Sequence, residues 1–198
     1  ETVEEFENLI KGLAYLANNK VRGNRVGLMT NAGFESVIMA DNLRGENGDL
    51  VLAEFSEQTV KKINQALAPA GIDRLQDVHN PLDVTPMADD ATFGTCVEAL
   101  LEEENIDCAV VSIVPVTAAL QTLPPGEGHA ENIYAENSLA RYLLRAFKKT
   151  DKPLIINIDA GALYDPLAAY LEDHGLPVFR RCDRAVSFLR KFVAVQET

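Results

Sequence analysis

The ten residues Val26-Gly27-Leu28-Met29-Thr30-Asn31-Ala32-Gly33-Phe34-Glu35 constrain the fold of this chain more than any other stretch. An apolar run stops at small and polar residues, and a helical pattern starts at once. This is the signature of a buried parallel strand feeding a tight turn, with a helix N-terminus directly behind it. Such a junction aims backbone N–H groups and the positive helix end at one point in space. An anion, above all a phosphate, is the usual occupant of that point.

The remaining sequence alternates between helix-like and strand-like pieces. A first helix is expected over residues 2–19, with Val3, Phe6, Ile10, Leu13 and Leu16 near one face, and residues 20–24 break it. Strand one covers residues 25–30. The helix over 34–43 is expected to face inward through Val37, Ile38, Ala40 and Leu43. A strand over 50–55 leads to Ser56, a good N-cap for the helix carrying Val60, Ile63 and Leu67. Residues 72–88 read as irregular. Asp89 or Asp90 caps the next helix, and the apolar run 108–114 suits a strand buried on both faces. Further strands are expected at 154–158 and 177–180. Helices are expected around Leu139–Phe147, at Asp165-Pro166, and from Asp183 to about Val193. Five strands separated by helices, without hairpin turn signals, give a parallel sheet covered on both faces. The expected fold is α/β: a flavodoxin-like three-layer α/β/α with a five-stranded parallel sheet in the order 2-1-3-4-5. Residues 1–22 are expected to form an N-terminal helix and linker, and residues 23–198 the flavodoxin-like domain.

Charge narrows the range of partners. Eighteen basic and thirty acidic side chains leave a formal net charge of −12, which repels nucleic acid and anionic membrane surfaces. No apolar run approaches the roughly 20 residues that a membrane span needs. Cys96, Cys108 and Cys182 are far apart with apolar neighbours, which suits reduced, buried thiols and a cytoplasmic location. The chain starts at Glu1, as a processed chain or an excerpt from a longer polypeptide would.

In open parallel sheets, ligands bind beyond the carboxyl ends of the strands, at the topological switch point. Thr30-Asn31-Ala32-Gly33 follows strand one, Pro115-Val116-Thr117 follows strand three, and Asp159-Ala160-Gly161 follows strand four. Asn80-Pro81-Leu82-Asp83-Val84-Thr85 is expected to fold over the same edge. Asp83, Thr85, Thr117, Asp159 and Gly161 are therefore the candidate cleft residues. Each has a plainer reading. Asn31 and Gly33 serve a tight turn equally well, Asp83 suits an Asx-turn, Thr117 a cap, and Asp159 a solvated strand end. Familiar catalytic sets are missing: there is no GxxxxGK[ST] loop, no GxGxxG after strand one and no nucleophile elbow. His79, His129 and His174 are isolated, with no partner at metal-ligand spacing, so no metal site is expected. His174 suits a helix C-terminus, and His129 an exposed loop.

These residues together resemble the succinyl-CoA-ligase-like flavodoxin domain of the NDP-forming acyl-CoA synthetases, a group that includes ADP-forming acetate–CoA ligase. The similarity is carried by the stretch from Arg22 to Gly33, by Asn80-Pro81-Leu82-Asp83, and by Asp151-Lys152-Pro153. Gly175-Leu176-Pro177-Val178-Phe179-Arg180 and Asp183-Arg184-Ala185-Val186 extend it to about residue 194. The resemblance implies a domain that is not catalytic alone and binds no cofactor alone. It would work with CoA-binding, phosphohistidine and ATP-grasp domains of one enzyme, which uses ATP or ADP, Mg and CoA. A homo-oligomer is compatible with it. In the reversible reaction, acyl-CoA, ADP and phosphate give acid, CoA and ATP. The domain supplies a helix N-terminus facing the phosphohistidine, here Asn31, Ala32, Gly33 and Phe34. Gly128-His129-Ala130 sits after strand three with Glu131 in place of a glycine, so the resemblance places the catalytic histidine outside this chain. Phe34-Glu35 replaces a more glycine-rich turn, and a carboxylate in the first turn competes with phosphate for the helix dipole. That departure keeps open a non-catalytic regulatory or interaction domain, as in fused acyltransferases. A free-standing flavin or receiver domain fits less well, because strand one lacks a Ser/Thr-rich loop and an acidic pair.

Overall fold

The computed structural model describes residues 2–45 and 48–196. In chain order the elements are α1 (Val3–Leu16), β1 (Arg25–Thr30), α2 (Gly33–Asp41), β2 (Val51–Leu52), α3 (Glu57–Leu67), β3 (Leu82–Asp83) and α4 (Asp90–Glu102). They continue with β4 (Cys108–Ile113), α5 (Leu139–Lys149), β5 (Leu154–Ile158), α6 (Asp165–Asp173), β6 (Val178–Phe179) and α7 (Cys182–Gln196). All pairings are parallel. The sheet runs β2-β1-β4-β5-β6, and β3 adds to β1 beside β2. The five-strand order expected from the sequence is present, but the sheet has six strands. The extra one, Leu82–Asp83, lies in the stretch read as irregular, because two residues between prolines carry no strand periodicity.

Alternation along the strands sorts the core into two halves. Met29, Ala109, Val111, Ile113, Leu154, Ile156 and Val178 face a layer that includes Ile63 of α3, Phe93 and Leu100 of α4, Leu143 of α5 and Leu171 of α6. Val26, Leu28, Cys108, Val110, Ile155 and Phe179 face Leu16 of α1, Met39 of α2, and Val186, Leu189 and Phe192 of α7. Helices α4 and α5 approach closely because Gly94 has no side chain; a Cβ there would lie 2.5 Å from Tyr142 Cβ. Ser56, Asp89 and Ser138 cap α3, α4 and α5 by accepting N–H bonds from Thr59, Thr92 and Arg141.

Two helices are rotated from their expected faces. On α1, Val3, Phe6, Ile10 and Leu13 are exposed. The helix packs instead through Leu9, Gly12 and Leu16, and a Cβ on Gly12 would lie 2.1 Å from Phe188 Cζ. On α2, Val37 and Ile38 are exposed, while Glu35 and Met39 point inward; Leu43, just beyond the helix, is buried as expected. Glu35 takes an inward position because polar groups at the ends of β1 and β4 receive it. Apolar periodicity cannot register a buried carboxylate.

Glu103 ties the start of α3 to the approach to β4. Its carboxylate accepts N–H bonds from Ser56 (2.7 Å) and Asn105 (3.0 Å). Burial raises its pKa, but these bonds, together with the Ser56 and Thr59 hydroxyls, outweigh burial and bring it from 4.5 to about 2. The folded value is depressed, so the stability this group contributes is present above about 4.5 and is lost as pH falls through about 2. Urea unfolding should therefore find Glu103→Gln less stable than wild type near neutral pH, with the gap closing towards about pH 2.

Candidate functional site

The carboxyl edge of the sheet is organised by one side chain. β1 pairs with β2 through Arg25 and Val26, and with β3 through Met29 and Thr30. Between these two registers Asn80 replaces the missing strand. Its Oδ1 accepts from Leu28 N (2.9 Å), and its Nδ2 donates to Val26 O (2.7 Å) and Ala53 O (3.0 Å). The Asn80-Pro81 peptide is cis. The chain then enters β3 and brings Asp83 to the start of α2.

The tip of α2 lies directly beyond β1. Ala32 occupies the N-cap position with extended backbone and provides no side-chain cap. Its own N–H donates to Thr30 Oγ1 at 3.2 Å. Asn31 is buried, and its amide forms a closed pair with Val114: Nδ2 donates to Val114 O and Val114 N donates to Oδ1, each at 2.9 Å. That side chain therefore clamps the ends of β1 and β4 together. Gly33 and Phe34 are both exposed, Phe34 at 59 %. A Cβ on Gly33 would lie 3.1 Å from Asp83 Oδ2. The carboxylate beside the helix tip is thus Asp83. Glu35 does not compete there, since its side chain is directed into the protein.

The remaining candidates divide between scaffold and cluster. Asp83 Oδ1 accepts from Thr85 N at 2.8 Å, an Asx-turn, and Thr85 adopts φ 62°, a conformation rare for a β-branched residue. Thr117 Oγ1 donates to Pro86 O (2.7 Å) and accepts from Ala119 N (3.2 Å), so it joins two loops. Gly161 O accepts from Arg180 Nη2, which also donates to Ala160 O. Arg180 was not singled out from the sequence; its position just past the last strand was the available signal. Asp159 belongs to a different grouping, on the side of the sheet that faces α2 and α7.

There Glu35 is fully buried and accepts from Thr30 Oγ1 (3.0 Å) and from Ser112 Oγ, which in turn receives Asn157 Nδ2 (2.7 Å). Burial pushes the Glu35 carboxyl above its ordinary range. The Ser112 and Thr30 hydroxyls oppose that rise, and the Asp159 charge adds to it. Cys182, at the start of α7, lies beside both acids. Burial, then the charges of Glu35 and Asp159, push its thiol up to about 11. Thr30, Ser112 and Asn157 fall on one alternating face of neighbouring strands. Three polar residues late in apolar runs were the sequence signal for this cluster.

A groove of about 390 Å³ runs beside the tip, lined by Gly33, Ser36, Val37, Gln76, His79 and Asp83 among others. Two larger grooves lie away from it, one along Phe55, Val60 and Asn64, the other around the ion-paired Arg25 and Asp107.

No protein-family model matches the chain. The alpha subunit of ADP-forming acetate–CoA ligase II from Pyrococcus furiosus is 30% identical over 163 residues, which are 81% of this chain. The chain is homologous to that subunit. It spans 31% of the subunit's length. Among solved structures, PH0766 from Pyrococcus horikoshii OT3 superposes on the whole chain with a TM-score of 0.77 at 23% identity, over 40% of its own length. The dinucleotide-forming acetyl-coenzyme A synthetase 1 of Ca. Korarchaeum cryptofilum, in complex with phosphate and ADP, also reaches 0.77. It matches at 20% identity and covers 99% of this chain and 38% of its own. These structures share the α/β fold with its parallel sheet flanked by helices. Among the described residues, no helix is long and apolar enough to cross a membrane.

The clamp assigns Asn31 a structural role that urea unfolding can measure. Asn31→Ala leaves both Val114 backbone groups without their partner and should cost about 1–3 kcal/mol. Phe34→Ala, at an exposed site, should cost about 0.5 kcal/mol or less.

Proposed function

We propose that this chain is a domain of an ADP-forming acid–CoA ligase, and that the start of α2 receives the phosphoryl group of a phosphohistidine carried by a sister domain. The observation that carries the reading is the uncapped helix tip at Gly33 and Phe34, open because Glu35 turns inward. Backbone donors and the helix dipole together favour a dianionic phosphoryl group at such a point. The adjacent Asp83 carboxylate opposes any anion there. A phosphoryl group held by a covalent carrier overcomes that opposition through effective concentration, whereas free phosphate binds there only weakly. The domain therefore contributes to the site and is not catalytic alone.

The surroundings suit such a neighbour. Phe34, Met87, Val116 and Leu163 are all exposed, and each follows the carboxyl end of a strand. Exposed apolar residues grouped on one edge are typical of a surface that another domain covers. The partners would be the CoA-binding, phosphohistidine and ATP-grasp domains, and the complete enzyme would use ADP or ATP, Mg, phosphate and CoA. The homologous subunit is named as an ADP-forming acetate–CoA ligase, and the chain spans only part of it.

In the full-length polypeptide carrying this chain, an acid-labile phosphoenzyme should form on mixing with radiolabelled ATP and Mg. Phe34→Glu, which adds a carboxylate at the tip, should lower its formation about tenfold, while Phe34→Leu stays near wild type. Absence of a phosphoenzyme would favour a non-catalytic regulatory domain, and an unaffected Phe34→Glu would remove the tip from the reaction.

A further inference from the structure

We propose that Glu35, Asp159 and Cys182 form a binding site for one zinc-type divalent cation, on the inner side of the first turn of α2. The three residues come from the start of α2, the loop after β5 and the start of α7. Their ligand atoms all lie within 4.8 Å of one another. Glu35 and Cys182 are buried, and Asp159 is partly exposed, which leaves a path from solvent. A second observation points to a ligand: Glu35 Oε1 is buried and has no hydrogen-bond partner. The two donors available to this carboxylate, Thr30 and Ser112, both go to Oε2. Asn157 Oδ1, in the same chain of bonds, is also buried and unpartnered. The cluster therefore holds an excess of acceptors and too few donors, and an unpaired buried carboxylate oxygen is costly.

The donor set selects the ion. A thiolate with two carboxylates suits zinc and similar borderline metals, whereas magnesium and calcium prefer oxygen alone. Binding displaces the Cys182 thiol proton, and any proton held between Glu35 and Asp159, to solvent; no bond other than these is broken. The three protein ligands leave the fourth tetrahedral position for water or another small donor. The alternative occupant of the same place is a proton shared by the two carboxyl groups, and the experiment separates the two.

The chelator-treated chain is titrated calorimetrically with zinc and with magnesium, and its cobalt complex is examined by absorption spectroscopy. Expected are one zinc per chain, magnesium at least about tenfold weaker, and a thiolate-to-cobalt charge-transfer band. Asp159→Asn should weaken zinc at least about tenfold, and Cys182→Ser should abolish the band, both with circular dichroism unchanged. Because Glu35→Gln perturbs a buried group, these two variants carry the test. The proposal is overturned by any of three results: no saturable zinc binding, as a shared proton alone would give; wild-type zinc affinity in both variants; or a cobalt complex without the band.

Discussion

The interaction on which the edge of this molecule depends is the splice made by Asn80. A parallel strand needs a hydrogen-bonding neighbour along its whole length, yet β2 accompanies β1 only at its beginning and β3 only at its end. One amide bridges the gap by accepting from Leu28 and donating to Val26 and Ala53. Without it, buried backbone groups of the central strand would be left unpaired, at about 1–3 kcal/mol each. The same splice delivers Asp83 to the side of Gly33 and so decides the electrostatics of the helix tip.

Two kinds of chemistry then lie on opposite sides of one helical turn. Outward, Gly33 and Phe34 present the positive end of α2 at the rim, beside Asp83. Inward, Glu35 reaches the polar ends of β1 and β4 and meets Asp159 and Cys182. The inward side explains why the tip is open: a glutamate in a first turn could have answered the dipole itself, but its carboxylate is held inside through Oε2 by Thr30 and Ser112. The Asn31 clamp on Val114 holds the two strand ends at fixed separation, which keeps both sides of the turn in register.

Much of this was legible in the sequence. The strand–turn–helix junction, the capping roles of Ser56 and Asp89 and the five-strand order follow from periodicity and end signals, which are local. The resemblance to NDP-forming acyl-CoA synthetases agrees with the homology to the acetate–CoA ligase alpha subunit. What was not legible depends on tertiary partners. Leu82–Asp83 is a strand only because Asn80 steers it onto β1. The α2 helix turns Met39 and Glu35 inward, and leaves Val37 and Ile38 outside, because Ser112 lies across from it. The exposed stripe on α1 reflects close packing at Gly12 against Phe188, where a small residue decided the face more than the larger apolar ones. Cys182 joins Glu35 through the fold alone, so no spacing rule could pair them.

The central claim is that the tip of α2 offers donors to an anion and that Asp83, with Glu35 turned away, is the carboxylate that weakens it. The direct measurement is an amide NMR titration of the chain with inorganic phosphate, in wild type and in Asp83→Asn. Weak, saturable shifts of the Gly33 and Phe34 amides, with tighter binding in the variant, are the predicted result. Unmoved amides at Gly33 and Phe34 in both proteins would contradict the account.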